Sequence, residues 1–392
     1  MPAKPKIIFL ITEDTALLSH RFELAVSMAG AGWNVIVATH VNSQLNRTRI
    51  EAAGLRVVSL PLERARLVAV SDLVYFLRVL RLYWNERPDL VHHVAMKPVL
   101  YGSLAALLVP RIPVVNALPG LGFLFSHTSL SVRLVRKVVV TIFRFLFSRP
   151  KTRLILQNTE DLNVFLDLGL THEHLRLIRG AGVDVDCFLP VAHGVRTPPV
   201  VVFAARMLRD KGVAEVVEAA RHLKTAGIPA RVLLVGGVDL QNPKSLTTSE
   251  LQEFVAEGAV EWLGHRSDMA AIYGTADIAV LPTSYREGVP KTLLEAAACA
   301  LPIVATDSAG CREVVREGIN GFLVPAHDSR ALAKALASLL VDAGLRQRLG
   351  SASREIAVRE FSHTLVIRQT HEVYSELLDP EYKLPETTAS DC

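Results

Sequence analysis

Two glutamates flank a short turn in the stretch REGVPKTLLEAAACA at residues 286–300. Glu287 stands before a predicted helix whose first turn contains Pro290, and Glu295 lies about one turn inside it. Carboxylates accept hydrogen bonds from hydroxyl groups, and the N–H groups at a helix start can hold a phosphate. The pair therefore suits a sugar nucleotide. Taken singly, each glutamate has a simpler interpretation, as an acid at a helix N-terminus or as the i,i+4 partner of Lys291.

Two cations and a glycine pair follow predicted strands in the same half of the chain. Arg206 comes after VVVFAA, and Lys211 precedes a helix start. A basic loop leading into a helix N-terminus favours phosphate, although both cations could also be solvated surface charges. Gly236 and Gly237 end the run VLLVGG. They would let a ligand approach the backbone, or they would only make a turn.

Buried-strand patterns alternate with helical patterns in two halves of the chain. The predicted strands are KIIFLIT, NVIVATH, RVVSLPL, DLVHHV and PVVNAL in the first half, and VVVFAAR, RVLLVGG, AVEWLG, IAVLP, PIVAT and GFLV in the second. This alternation predicts an α/β protein with two doubly wound, Rossmann-like domains of parallel strands that face a ligand cleft. Ligands in such sheets bind beyond the carboxyl ends of the strands, where the residues described above lie. We predict an N-terminal domain at 1–190, a linker at 191–198, a second domain at 199–368 and a C-terminal helix and tail at 369–392.

Composition narrows the class of protein. The chain has 392 residues, half of them apolar, and a formal net charge of +4, which is too small to indicate nucleic-acid binding. Its four cysteines show neither disulfide-like nor metal-ligand spacing, so a cytoplasmic location is expected. We find no signal-peptide pattern and no uncharged run of the roughly 20 residues that a spanning helix needs.

Positive charge is concentrated between Leu90 and Thr159, where nine Lys or Arg and no acid occur. Within this region, residues 129–153 combine seven basic residues with many apolar and aromatic ones. Such a pattern predicts a helix lying on an anionic membrane surface. The alternative is an ordinary domain helix whose apolar stripe is core.

Taken together, these segments resemble the family 4 retaining glycosyltransferases of the GT-B fold over nearly the whole chain. The motif E-x7-E from Glu287 to Glu295 carries most of the resemblance, together with Arg206, Lys211 and the segment GAGVDVDCF. The N-terminal segments ITEDTALLSHR, HHVAMKPVLYGS and NALPGLGF are similar to those of bacterial members that extend polyprenyl-diphosphate-linked oligosaccharides.

The resemblance implies a role for each matching residue of the second half. Arg206 and Lys211 match the pair on the donor diphosphate, Glu287 the carboxylate on the transferred sugar, and Glu295 the carboxylate on the ribose. The loop that touches sugar and phosphate is matched by Gly288, Val289 and Pro290.

In the first half the resemblance implies that His93 is an active-site histidine and that Lys97 contacts an acceptor phosphate. Many members have a glycine pair after the first strand, where this chain has TEDT at residues 12–15. His20 and Arg21, at the start of the following predicted helix, are the candidates to replace the donor contact of those glycines. Asp184 and Asp186 form a D-x-D motif, but it lies at the linker entry. We therefore expect neither a metal site nor any other cofactor.

The leading hypothesis is a retaining transferase that moves a hexose or N-acetylhexosamine from a nucleotide sugar, UDP-linked, to a lipid-linked sugar acceptor. Such an enzyme would act in polysaccharide biosynthesis, as a peripheral protein on the inner face of a bacterial cell membrane. A sugar-nucleotide 2-epimerase of similar two-domain architecture is the alternative. A non-catalytic sugar-nucleotide sensor is a third hypothesis.

Overall fold

The structure, a computed structural model, describes residues 4–62, 69–121, 130–192, 194, 196–240, 242–380, 382 and 384, with the backbone alone for 69 and 130–138. In this part of the chain the strands form two parallel sheets, one of seven strands and one of six. Their central strands are apolar runs buried on both faces; Ile7 to Leu10, for example, have no exposed surface. Such runs favour parallel strands covered by helices on both sides.

The first sheet has the strand order β3-β2-β1-β4-β5-β6-β7. The order reverses between β1 and β4, which defines a switch point at their carboxyl ends. The strands are β1 (Lys6–Glu13), β2 (Asn34–His40), β3 (Arg56–Ser59), β4 (Leu90–Val94), β5 (Val114–Leu118), β6 (Thr152–Leu156) and β7 (Leu175–Leu177).

Among the described residues, seven helices connect these strands. Right-handed crossovers place α1 to α3 on one face of the sheet and α4 to α7 on the other. Buried side chains agree, because Ile7 and Phe9 pack with the first group whereas Ile8 and Leu10 pack with α4. The helices are α1 (Asp14–His20), α2 (Phe22–Gly30), α3 (Gln44–Ala52), α4 (Ala69–Glu86), α5 (Met96–Leu108), α6 (Leu130–Phe147) and α7 (Thr159–Asp167).

The second sheet has the order β10-β9-β8-β11-β12-β13, so its switch point lies between β8 and β11. Its strands are β8 (Val200–Ala204), β9 (Arg231–Val235), β10 (Glu261–Trp262), β11 (Ile278–Leu281), β12 (Ile303–Thr306) and β13 (Gly321–Val324). The helices that follow are α8 (Val213–Thr225), α9 (Thr248–Ala256), α10 (Met269–Gly274), α11 (Lys291–Ala298), α12 (Ala309–Val314), α13 (Ser329–Val341), α14 (Ala343–Phe361) and α15 (His363–Ser375).

The chain divides into two compact units after Ala181 and again after His363. Both divisions differ from the boundaries expected from sequence, and packing explains the difference. Val183 is buried in the core of the second unit, and its N–H donates to Phe361 O at 2.8 Å. The described residues from Thr364 onward belong to the first unit, where Val373 and Tyr374 are buried against the sheet.

The predicted membrane segment at 129–153 is not one helix. Helix α6 ends at Phe147, and Thr152 already begins β6, a buried strand missed from sequence. Phe143, Leu146 and Phe147 are core residues. A smaller difference concerns Pro290, which is the N-cap residue of α11 rather than a member of its first turn.

Candidate functional site

The loops that follow β8 and β11 meet at the switch point of the second sheet. The carbonyl oxygen of Asp210, in the first loop, accepts hydrogen bonds from Ser284 N at 2.9 Å and Tyr285 N at 3.2 Å in the second. The buried Thr283 hydroxyl donates to the same oxygen at 3.1 Å. This junction fixes the two loops relative to each other, and sequence reasoning did not find it, because the decisive group is a backbone carbonyl.

Lys211 and Glu287 form an ion pair across this junction. The Lys211 Nζ lies 2.6 Å from Glu287 Oε2, and the two side chains are only 14% and 18% exposed. The other carboxylate oxygen, Oε1, is buried without a hydrogen-bond partner among the described residues. A buried acceptor that lacks a donor is costly, so this oxygen is suited to receive a ligand hydroxyl.

Lys211 is held in place by the backbone around it. It ends a short 3-10 helix, Arg209–Lys211, and the next residue, Gly212, has φ of 85°. A β-carbon on Gly212 would lie 2.2 Å from the carbonyl oxygen of Pro282. Only glycine permits this combination of positive φ and close approach.

Arg206 lies at the same edge of the sheet, directly after β8. It pairs with Asp239, with 2.6 Å between the Arg206 Nη1 and the Asp239 Oδ2, and its side chain is 49% exposed. Asp239 was not singled out from the sequence, since it lies in a loop beyond β9 with no distinguishing pattern. A ligand phosphate at Arg206 would compete with this carboxylate.

Glu295 lies inside α11 and is almost completely buried. Burial raises the pKa of its carboxyl group, and the charge of Lys291 opposes that shift, with 3.6 Å between Lys291 Nζ and Glu295 Oε1. Burial and then the Glu295 charge raise the pKa of Cys299 to about 12. The helix thus carries a carboxylate that is weakly neutralised and shielded from water.

The loop of Gly288, Val289 and Pro290 is buried between β11 and α11. Val289 packs its side chain into the core of the second unit. Gly310, at the start of α12, lies so close that a β-carbon there would be 1.6 Å from Gly288 O. The loop is therefore fixed by backbone-to-backbone packing, and Gly310 is a supporting residue that sequence reasoning missed.

The glycine pair after β9 has a structural explanation of its own. Gly236 has φ of 150°, and a β-carbon there would lie 1.8 Å from Ala205 O. Its carbonyl oxygen accepts from Trp262 Nε1 at 2.8 Å. Gly237 O accepts from Met207 N at 3.0 Å. The pair fastens β9 to its neighbours, and contact of Gly236 or Gly237 with a ligand stays a prediction.

His93 is buried in the first unit, within β4, and both of its ring nitrogens are engaged. Nδ1 lies 2.8 Å from Asn116 Oδ1, and Nε2 lies 2.8 Å from the Tyr83 hydroxyl. Burial lowers the pKa of His93 to about 4, although the hydrogen bond with Asn116 opposes the shift. With no exposed surface, this neutral ring ties β4 to β5 and α4, and its catalytic role stays a prediction.

Other residues expected in the first unit are also engaged within it. Lys97 pairs with the buried Asp72 at 2.9 Å. Asp14, after β1, accepts from the N–H and the side-chain amide of Asn42 at 2.8 and 2.7 Å. Arg21 is 6% exposed, and burial lowers the pKa of its guanidinium. The β1 loop is therefore a hydrogen-bonded turn built on a carboxylate instead of glycines.

No three His, Cys, Asp or Glu side chains among the described residues are grouped so that they could hold a metal ion. In the D-x-D motif, Asp184 Oδ1 accepts from the N–H groups of Asp186 and Cys187 at 3.0 and 2.9 Å. The first aspartate thus caps its own loop.

Comparisons with known proteins identify the family. Residues 190–356 match the model described as glycosyl transferases group 1, and residues 6–159 match glycosyl transferase 4-like. The chain therefore belongs to the glycosyltransferases. The predicted transferase is confirmed, its retaining mechanism fits this family, and nothing in these matches supports the epimerase alternative.

Relatives and solved structures agree with this assignment. The chain is 29% identical to the N,N'-diacetylbacillosaminyl-diphospho-undecaprenol alpha-1,3-N-acetylgalactosaminyltransferase of Campylobacter jejuni, over 84% of this chain and 88% of that one. It is 24% identical to the capsular polysaccharide biosynthesis glycosyltransferase CapM of Staphylococcus aureus, over 79% and 82%.

Among solved structures, a glycosyltransferase of Rickettsia africae superimposes with a TM-score of 0.75 at 17% identity, covering 97% of this chain and 100% of that one. HepE of Anabaena, solved with UDP and glucose, gives 0.73 at 20% identity, covering 95% and 100%. These similarities confirm the predicted GT-B class of fold.

Proposed function

We propose that this chain transfers a hexose or N-acetylhexosamine, with retention of anomeric configuration, from a UDP-sugar to a polyprenyl-diphosphate-linked sugar during surface glycan assembly. The observation that carries the proposal is the Lys211–Glu287 pair at the switch point, with one buried carboxylate oxygen lacking a donor. The name of the Campylobacter relative supports the acceptor class, and the UDP complexes of HepE support the donor class.

In the proposed complex Lys211 and Arg206 bind the donor diphosphate, Glu287 accepts from hydroxyl groups of the transferred sugar, and Glu295 accepts from the ribose. The loop 288–290 contacts sugar and phosphate through its backbone. Each cation already has a carboxylate partner. Binding the diphosphate therefore redistributes existing ion pairs, which keeps the cations oriented before the donor arrives.

Transfer then proceeds on one face of the sugar. The bond between the anomeric carbon and the diphosphate oxygen breaks while the acceptor hydroxyl oxygen forms the new bond from the same side. The departing oxygen takes the hydroxyl proton. Lys211 and Arg206 stabilise the negative charge that develops on the leaving diphosphate, which is the electrostatic contribution that dominates many enzymes.

Because two cations neutralise the diphosphate in this scheme, we propose that transfer needs no metal ion. Full activity in excess EDTA would support this, and activity that is lost in EDTA and restored by Mg²⁺ or Mn²⁺ would refute it.

We also propose that the protein acts peripherally at the inner face of the cell membrane. In the part of the chain that the structure describes, no helix is long and apolar enough to cross a bilayer. Of the predicted membrane segment at 129–153, α6 remains the candidate, because Arg153 lies in β6 and pairs with Glu376 at 2.7 Å. On α6 the Phe145 side chain is 66% exposed.

The decisive experiment incubates the protein with a panel of nucleotide sugars and a short-chain polyprenyl-diphosphate-linked sugar. We expect one donor to add a single sugar, with the donor's anomeric configuration in the NMR spectrum of the product. Inversion would contradict the mechanism. Conversion of a UDP-sugar into its 2-epimer without acceptor would contradict the function.

A further inference from the structure

The outer face of α4 carries an apolar stripe that nothing covers in the described part of the chain. Val70, Leu73, Val74, Leu77 and Trp84 are 42% to 74% exposed. At 3.6 residues per turn these side chains fall within an arc of about 100°, and the stripe is about 21 Å long. Single exposed apolar side chains are ordinary, but apolar side chains on successive turns from Val70 to Leu77, with Trp84 beyond Arg81 in the same arc, indicate an interaction surface.

The stripe is additional to the core face of the same helix. Tyr75, Val79 and Tyr83, on the opposite side of α4, are buried against the first sheet. The helix therefore needs none of the outer apolar residues to attach itself to the fold.

The charges that α4 presents to solvent are cationic. Arg78 is exposed beside the stripe and Arg81 within it, between Leu77 and Trp84, and no carboxylate partner for either arginine is found among the described residues. Both acids of the helix are engaged: Asp72 is buried with Lys97, and Glu86 pairs with Lys6 at 2.8 Å and with Arg56. The outer face thus combines apolar side chains with unneutralised positive charge.

Two further apolar side chains are exposed on other helices of the same layer. Leu108 on α5 and Phe145 on α6 are 56% and 66% exposed. Trp84, at the end of the stripe, also lines a cavity of about 510 Å³ together with Arg87, Arg111 and Lys151. Asp89 and Asp379 line it as well, so its three cations leave a formal excess of one positive charge at this end of α4.

We infer that the outer face of α4 docks on an anionic lipid bilayer. The stripe enters the boundary between headgroups and acyl chains, Trp84 lies at the level of the headgroups, and the arginines meet lipid phosphates. A second copy of the chain fits less well, because in a symmetric dimer the same cationic face would oppose itself. Anionic lipid supplies the missing negative charge.

The docking orientation has a consequence for catalysis that rests on the proposed function. Helix α4 crosses from β3 to β4 and therefore runs antiparallel to the strands, beginning at the carboxyl edge of the first sheet. A helix lying flat along the bilayer places both edges of the first sheet at the membrane surface, the carboxyl edge included. A lipid-linked acceptor has its diphosphate at the same level.

Sedimentation with vesicles tests the inference on the full chain. Wild type should bind phosphatidylglycerol-containing vesicles and ignore pure phosphatidylcholine. The double variant Leu73→Gln/Leu77→Gln should bind at least about tenfold more weakly, because apolar burial is lost. Arg78→Gln/Arg81→Gln should lose about 30-fold, with a weaker salt dependence. Leu45→Gln, at a 79% exposed leucine on α3 across the sheet, is the matched control and should bind like wild type.

Wild-type binding by both α4 variants would overturn the inference, as would a loss confined to an Arg133→Gln/Arg136→Gln/Lys137→Gln variant of α6. Equal binding of wild type to both kinds of vesicle would overturn the anionic assignment. A dimer that Leu73→Gln/Leu77→Gln dissociates, with no vesicle binding, would make the stripe a self-association surface instead. Transfer to a soluble short-chain acceptor should be unchanged in the α4 variants, and its absence in wild type would refute the proposed function independently of lipid binding.

Discussion

Lys211 and Glu287 neutralise each other at the switch point, so each holds the other in position for a ligand that contacts both. Lys211→Ala removes one cation from the leaving diphosphate and leaves Glu287 unpaired. We expect kcat to fall by on the order of 10²–10³, the effect of losing one preorganised electrostatic contact. Arg209→Ala, at a 59% exposed arginine in the same 3-10 helix, is the control and should keep wild-type turnover. Steady-state kinetics measure both, and full turnover by Lys211→Ala would exclude its assigned role.

Substitutions of the two glutamates should have different effects on ligand binding. Glu287→Ala should abolish most transfer while free UDP still binds, because this carboxylate serves the sugar. Glu295→Ala should weaken UDP-sugar and UDP alike by about 10- to 150-fold, the effect of one lost charged hydrogen bond. Calorimetric titration of both variants with both ligands gives the answer. Equal weakening of UDP by the two substitutions would contradict this division.

The buried charge of Glu295 should lower the stability of the native state, although the proposed function needs this carboxylate. Because burial raises its pKa, the native state binds the proton more tightly than the unfolded state. Below the pKa of Glu295 in the unfolded state, roughly 4.3, the carboxyl group is protonated in both states and does not affect the free energy of unfolding. As the pH rises from there through the native pKa, the buried charge increasingly lowers the free energy of unfolding. Glu295→Gln should therefore raise the Tm at pH 8 and leave it unchanged near pH 4. A lower Tm at pH 8 would contradict the argument, while UDP affinity should fall in either case.

At the scale of elements, the entry into α8 depends on one residue without a side chain. Gly212→Ala would combine a strained positive φ with a β-carbon 2.2 Å from Pro282 O, so the loop carrying Lys211 must move. Gly227 has φ of 70° but nothing within 4 Å of its ideal β-carbon. Gly227→Ala therefore measures the cost of a positive φ without the close approach. Gly227→Ala should cost about 1–2 kcal/mol and keep activity. Gly212→Ala should cost more and lose most of its kcat, as urea unfolding and kinetics would show. Equal losses would mean that the close approach is unimportant.

The elements also show where sequence patterns succeed. Strands β1 to β5 and β8 to β13 were predicted from apolar runs, which are clearest in strands buried on both faces, such as β4 and β8. Strand β6 was missed because Thr152 and Arg153 were assigned to the cationic segment before them, and the three residues of β7 are too short for a pattern.

Sequence patterns located the site residues whose position depends on residue type and on strand ends. They did not reveal the features of the site that depend on contacts between residues far apart in sequence. The positions of Lys211 and Glu287 follow from strand ends and spacing. The burial of His93 depends on Tyr83, Asn116 and the close approach of Gly102, which no local pattern reveals. The partner of Arg206 likewise lies in a loop whose course the sequence does not specify.

At the scale of the whole molecule, α15 completes the first unit although it follows the second unit in sequence. Tyr374 is fully buried, and its hydroxyl lies 2.5 Å from His92 Nδ1. Tyr374→Ala should destabilise the first unit by about 3–5 kcal/mol, as large aromatic truncations do. Hydrogen exchange should then accelerate in β1 and β4 and stay unchanged in β8 and β11. Tyr374→Phe, which loses only the hydroxyl, should have a smaller effect. Acceleration in β8 would show that α15 does not belong to the first unit alone.

The same chain path sets an order of events during synthesis. Domains usually fold in the sequence in which they leave the ribosome. Here residues 182–363 form a continuous unit, whereas the first unit lacks Val366, Val373 and Tyr374 until after that unit has been translated. The N-terminal half must therefore wait, with part of its core uncovered, while the later half can already fold. Ribosome-bound chains of which residues up to 363 have emerged should expose apolar surface only in their N-terminal half, where chaperones would bind.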